Sequence, residues 1–282
     1  MRWSDEGRSN DLEDRRGDSP GFGGFGLPHL GIGGFLIVLI LSLVFHRNLF
    51  TLLGGGGAVT DQTSQSRPVN DPGEESEVHF VSFVLDDAQS TWARILQQQG
   101  VPYRHAKLVL FRQAINTGCG FAQSESGPFY CPDDEKVYID LSFYDELKRR
   151  FGAPGDFAQA YVLAHEIGHH IQKLLGIESK VQRLMQSNPS ERNQLSVRLE
   201  LQADCFAGIW GHSTEQRKIL EAGDVDEAIR AAAAVGDDRL QRAATGQVNP
   251  DTFTHGTSAQ RSHWFRQGMN SGDISACNTF AQ

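Results

Sequence analysis

His165-Glu166-Ile167-Gly168-His169 lies in a stretch whose apolar residues, Phe157, Ala160, Tyr161, Ala164, Ile167 and Ile171, recur at helical spacing. Asp156 with Gln159 three residues on has the form of a capping box, and Gly176 supplies a stop. A helix bounded in this way buries one apolar side. It also sets two imidazoles one turn apart on one face, where both reach a single ion. Glu166 sits on the flank of the same arc, close enough to meet a metal-bound water without being aimed at the metal. Three protein ligands with a fourth position left open is how zinc is held at reactive sites, with imidazole nitrogens at about 2.0–2.1 Å. The bland alternative is a core helix that carries two histidines by chance. The caps and the apolar side around an intact H-E-x-x-H weigh against it. His170 is rotated past Glu166 and is expected at the surface or behind the ligands.

The net charge of −9 and the lack of a basic face argue against a nucleic-acid partner. Hydrophobic content of 39% is slightly low for a globular chain because the first 75 residues are largely not globular in composition. The four cysteines contain no C-x-x-C pair, so a thiolate zinc site is not expected. Cys119 and Cys131 share one loop, with a spacing that lets a disulfide pin it. Cys119–Cys131 and Cys205–Cys277 are the expected pairs, and four buried thiols are the competing reading.

Along the chain, residues 1–29 are polar and then Gly/Phe-rich, and read as a disordered cytoplasmic leader. Leu30 to Phe45 carries no charge and no polar face. Extended back to Leu27 it approaches the ~17–20 residues that cross a bilayer, so 30–53 reads as a transmembrane anchor. The long acidic leader and the missing A-x-A site disfavour a cleaved signal peptide. Arg2, Arg8, Arg15 and Arg16 precede the run and only Arg47 closely follows it. The positive-inside rule then gives a single-pass cell-membrane protein with a cytoplasmic N-terminus and an extracytoplasmic (periplasmic) domain. Residues 54–76 read as a flexible linker and 77–282 as the folded domain. Within that domain the pattern predicts a helix up to Gly100, strands at Ala106–Phe111 and Lys136–Leu141, and a loop over 116–134. Further helices are predicted at Phe143–Phe151, from Pro189 to about Trp210, over Asp224–Ala244, and from Ala259 to about Gly268 behind the capping box Thr257/Gln260. This is an α+β domain, mainly helical with a small sheet. The second strand, next to the metal-site helix, is a candidate edge for an extended peptide.

Two histidines leave one protein ligand to find. The downstream candidates are Glu178, Glu191, Glu200, Asp204, His212, His255 and His263. Glu200 is the choice, because Asp204 four residues later shares its face and can accept the free ring N–H of a ligand histidine. Two acids at i,i+4 among Leu199, Leu201, Ala203 and Phe206 also repel unless a metal offsets them.

These residues carry a resemblance. His165-Glu166-Ile167-Gly168-His169 with Glu200-Leu201-Gln202-Ala203-Asp204 is similar to the gluzincin zinc metallopeptidases. The whole chain resembles a bacterial family of neutral zinc metallopeptidases in Asn10 to Arg16, the single anchor, Cys119-Gly120, Tyr130-Cys131-Pro132, Val137 to Asp140 and His255 to Arg261. The resemblance implies a zincin-like catalytic domain. One Zn2+ on His165, His169 and Glu200, with Glu166 as acid–base group, would serve hydrolysis of a peptide or protein substrate. His255, just ahead of a helix N-terminus, is the first candidate for the oxyanion donor and Arg261 the second. Two rivals stand beside a membrane-anchored metallopeptidase. One is a zinc hydrolase of a non-peptide bond. The other is a membrane-tethered binding or assembly factor with a structural metal, which the retention of Glu166 and the count of three ligands disfavour.

Overall fold

The computed structural model describes residues 1–18 and 72–281. Leu12–Asp14 (β1), Lys107–Phe111 (β2) and Lys136–Asp140 (β6) run parallel, and Phe129–Cys131 (β5) closes the sheet antiparallel to β6, in the order β1-β2-β6-β5. Side chains alternate across a strand, so Leu108, Leu110, Val137 and Ile139 join the main core beneath the helices. Val109, Phe111 and Tyr138 face the other way and build a second, small core with Ile115 and Cys131. An antiparallel hairpin, Ala114–Thr117 (β3) and Gly120–Gln123 (β4), covers that core, and Cys119 is bonded to Cys131. The expected loop over 116–134 therefore contains strands. They are short, and β4 is exposed to half-buried, so no apolar alternation announces them. The edge beside the metal-site helix is β5, since β6 is paired on both sides.

Eight α-helices are described: Pro72–Gln98 (α1), Ser142–Arg149 (α2), Asp156–Leu174 (α3), Ile177–Ser187 (α4), Arg192–Gln216 (α5), Asp224–Ala234 (α6), Asp237–Thr245 (α7) and Ser258–Ser271 (α8). The domain is mainly helical with a small sheet. α3 is buried from Phe157 to Gln172 except at a few positions, and packs on α1, α5, α6 and β5. Its N-cap is Gly155, with no side-chain cap bond, in place of the expected Asp156 box. α5 and α8 pack backbone to backbone. A Cβ built on Gly268 would lie 1.9 Å from the Cys205 carbonyl oxygen, and one on Gly208 would lie 2.1 Å from that of Phe265, so only glycine fits at either position. Cys205 is bonded to Cys277, which fastens the C-terminal tail to α5. The Thr257/Gln260 capping box is formed at the start of α8. The expected single helix over 224–244 is two, because the chain turns at Val235–Gly236 and brings Ser258 against Gly236.

The expectation of disorder over 1–29 is corrected for residues 1–18. Leu12, Glu13 and Asp14 pair with Leu108, Val109 and Leu110 as an edge strand. Trp3 stacks edge-on against Phe80 at 5.4 Å. Arg16 is buried, and its guanidinium bonds Asp14 at 2.7 and 2.8 Å and Glu75 at 3.0 Å. The amino group of Met1 lies 2.8 Å from Asp156 and 3.2 Å from Asp224. It thereby offsets the charge of the acid group Asp156, Asp224 and Glu227, whose oxygens also lie close enough together to hold a cation. A polar segment with one Leu in its strand gives no apolar signal of its own, since ion pairs and main-chain bonds hold it. The expected anchor at 30–53, residues 19–29 of the leader and residues 54–71 of the linker lie outside the described residues, whereas residues 72–76, also expected as linker, open α1 with Glu74 buried. Among the described residues no helix is long and apolar enough to cross a membrane.

Candidate metal centre

α3 and α5 cross at Gly168 and Ala203, and that crossing sets the distance between the two halves of the site. From α3 come His165 and His169; from α5 comes Glu200. Their ligand atoms form one group, all within 4.8 Å of one another. His165 Nε2 lies 3.2 Å from Glu200 Oε2, and His169 Nε2 lies 3.5 Å from Glu200 Oε1. Ligand atoms at about 2.0–2.1 Å from a tetrahedral zinc are ~3.3–3.4 Å apart, close to the two His–Glu200 distances.

Each imidazole has its far nitrogen held. His165 Nδ1 is 2.9 Å from Asp204 Oδ1, and His169 Nδ1 is 2.9 Å from Gln172 Oε1. An oxygen acceptor at Nδ1 fixes the tautomer that leaves Nε2 free to bind metal. Gln172 is fixed in turn by donating to the Leu199 carbonyl at 2.8 Å and to Gln202 at 3.1 Å, and Gln202 donates to the Cys277 carbonyl at 3.0 Å. The tail that the Cys205–Cys277 bond fastens is thus in hydrogen-bond contact with the metal site.

Asp204 is fully buried and accepts four hydrogen bonds from three groups. They are the His165 ring, the Tyr161 hydroxyl through a short hydrogen bond, and Arg261 through Nε at 2.8 Å and Nη2 at 3.0 Å. Burial alone would raise the Asp204 pKa, but Arg261 and His165 hold it below the ordinary carboxylate range. Arg261 is itself buried, and it also donates to the Val235 carbonyl at 3.4 Å. Its expected place as second oxyanion donor is therefore corrected. It lies behind His165, spent on Asp204, because a buried carboxylate requires a partner of opposite charge.

Burial lowers the pKa of His165, yet Asp204 and Glu200 together raise it to about 10 when no metal is bound. Burial likewise raises Glu200, and His169, His255 and His165 pull it well below its usual value. Glu166 is buried, and burial raises its pKa against the pull of His165 and His169. A carboxylate with a raised pKa is a better base than an ordinary one, which suits a group that takes a proton and returns it.

His255 lies close enough to Glu200 for the two charges to act on one another. Its ring is half exposed and bonds Thr254 at 2.9 Å and Asp237 at 3.3 Å through Nδ1. Burial lowers its pKa, and Glu200 and Asp237 outweigh that and raise it. Asp237 also accepts the backbone N–H groups of Thr254, His255 and Gly256 at 2.8, 2.7 and 3.0 Å, fixing the loop that carries the ring. His170 is buried, unlike a surface residue. It bonds Tyr130 at 3.0 Å and the Arg104 carbonyl at 2.7 Å, and so ties α3 to β5.

Tyr161, Gln172 and Asp237 are site residues that the sequence analysis missed. The first two were reachable from it: Tyr161 precedes His165 by four and Gln172 follows His169 by three, both on the ligand face of one helix. Asp237 carries no such signal, since a chain turn brings it to His255.

Two imidazoles one turn apart and a carboxylate from a second helix could hold a metal ion, with a buried glutamate beside them. The chain belongs to the family described as "Putative neutral zinc metallopeptidase", whose sequence model matches residues 1–280. It is 50% identical over 288 residues to the uncharacterized protein YpfJ of Escherichia coli (strain K12), across 100% of this chain and 99% of that one. Over 190 residues it is 44% identical to the uncharacterized protein Mb2605 of Mycobacterium bovis, 64% of each chain. No solved structure matches. Family membership makes zinc the metal to expect here and a peptide or protein the substrate class.

Proposed function

We propose that the protein is a zinc-dependent metalloendopeptidase with a zincin-like domain, holding one zinc on His165, His169 and Glu200. The observation that carries this reading is the convergence of His165 Nε2, His169 Nε2 and the two Glu200 oxygens at 3.2 and 3.5 Å, with both Nδ1 atoms tied back. A bound zinc would supply Lewis-acid polarisation of the scissile carbonyl and lower the pKa of its water toward ~7. Glu166 accepts the proton from the attacking water and returns it to the leaving amine. His255, whose pKa Glu200 and Asp237 raise against the effect of burial, donates to the oxyanion. Asp204, braced by Arg261 and Tyr161, holds His165 in register. The free edge of β5, which packs against α3, offers main-chain partners to an extended substrate. The two disulfides support a domain working outside the cytoplasm, and the apolar run Leu30–Phe45 supports attachment to the cell membrane.

The test is incubation of the full chain with a diverse peptide pool, read by mass spectrometry, before and after zinc is stripped and restored. Cleavage that disappears with zinc and returns with it is the expected result. A zinc-loaded protein that leaves every peptide intact would shift the reading to hydrolysis of a non-peptide bond or to a structural metal.

A further inference from the structure

The leader is bound into the catalytic domain as one of its strands. Beyond the β1–β2 pairing, the Leu108 N–H donates to the Asp11 carbonyl and the Arg15 N–H to the Leu110 carbonyl, each at 2.8 Å. Asp11 takes Lys107 at 2.7 Å and Gln89 at 3.0 Å, Glu13 takes Lys136 at 2.7 Å, and Ser9 bonds Asp86 at 2.5 Å. Arg16 reaches both Glu74 and Glu75, at 3.2 and 3.0 Å. The chain therefore departs after residue 18 and is back by residue 74 at the same spot on the domain.

Between those points lies the apolar run Leu30–Phe45. One complete crossing by that run would put β1 and β2 on opposite sides of a hydrocarbon layer about 30 Å thick. Paired strands lie about 4.8 Å apart. A return crossing would need a second run of ~17–20 apolar residues. The sequence after Phe45 offers Arg47, Asn48, four consecutive glycines and then Asp61, Gln62 and Arg67, which hydrocarbon does not accept. A cytoplasmic leader on a single-pass anchor and a leader strand in the sheet exclude each other.

We propose that the leader and the catalytic domain lie on the same side of the membrane. The leader is then a working part of the domain, and the N-terminus is extracytoplasmic wherever the disulfide-bonded domain is. This goes beyond the hydrolytic reading, and stands or falls without it.

The experiment uses the full chain in its native membrane. All four native cysteines are disulfide-bonded, so introduced thiols report alone. The double variant Ser9→Cys/Asp86→Cys should give the linked 9–86 peptide as the dominant species under mild oxidation. In separate single variants, exposed Glu6→Cys and Gln97→Cys should show the same labelling by a membrane-impermeant maleimide in intact cells, and the same again after the cells are opened. Labelling of Gln97→Cys in intact cells with Glu6→Cys reached only after opening, and no 9–86 link, would overturn the proposal. The single variants decide the question even if the double variant fails to fold.

Discussion

Gly168 and Ala203 touch where α3 crosses α5: a Cβ on residue 168 would lie 2.9 Å from the Ala203 carbonyl oxygen and 3.1 Å from its Cα. Gly168 is next to His169, and Ala203 is next to Asp204 and three residues past Glu200. The missing side chain therefore sets how closely the two halves of the metal site approach. Gly168→Ala should force the helices apart, at about 1–3 kcal/mol of stability. It should also weaken zinc by about 10–100-fold, a loss of the size seen when supporting groups around a ligand are disturbed. Thermal melts of the metal-free protein and chelator competition measure the two effects separately.

Asp204 and Arg261 should differ in which property they govern. Asp204→Asn keeps the shape and loses the charge that steadies His165, so zinc affinity should fall about 10–100-fold. Arg261→Lys cannot keep the two-pronged contact with Asp204. It leaves a buried carboxylate poorly paired, and should cost up to about 3–5 kcal/mol of folding stability. An Arg261→Lys protein as stable as wild type would show that Asp204 does not depend on it.

Zinc binding should release a proton. Without metal, His165 has a pKa raised to about 10, above its ordinary ~6.5. At pH 7 the incoming ion must therefore displace that proton. Apparent affinity should rise by up to about tenfold per pH unit from pH 7 to 9. The metal-free fold should behave oppositely. A raised pKa contributes stability that is fully present below about 6.5 and is lost as pH climbs toward 10. Calorimetry in buffers of different ionisation enthalpy reads the proton count.

Loss of the His255 ring should leave zinc stoichiometry unchanged. It should lower kcat more than it raises KM, as expected of a donor that meets its partner in the transition state. Asp237→Asn should show a weaker form of the same split, because the carboxylate acts through the ring it holds. Equal changes in KM with kcat intact would make His255 a substrate-binding group.

What could be read from sequence was what depends on spacing within one helix. His165 and His169, and likewise Glu200 and Asp204, are pairs whose relative placement follows from 3.6 residues per turn, and the structure brings the two pairs together. The Thr257 capping box was legible for the same reason. Arg261 was visible as a residue but not as the partner of Asp204, because that pairing depends on how α8 lies against α5. The leader strand was hidden by its composition: Leu12-Glu13-Asp14 contributes main-chain bonds and charges, and apolar periodicity reports neither. The break at Val235–Gly236 was masked by the alanines of 231–234, which favour helix right up to it.

The central claim is that Glu166 does chemistry on a zinc held by other residues, and Glu166→Gln tests it most directly. Metal content and peptide turnover should be measured on the same preparation. The account expects one zinc per chain, an unchanged melting temperature and hydrolysis reduced by about 10²–10⁴-fold, the loss typical of a removed acid–base group. A Glu166→Gln protein that keeps its zinc and cleaves peptides at the wild-type rate would contradict it.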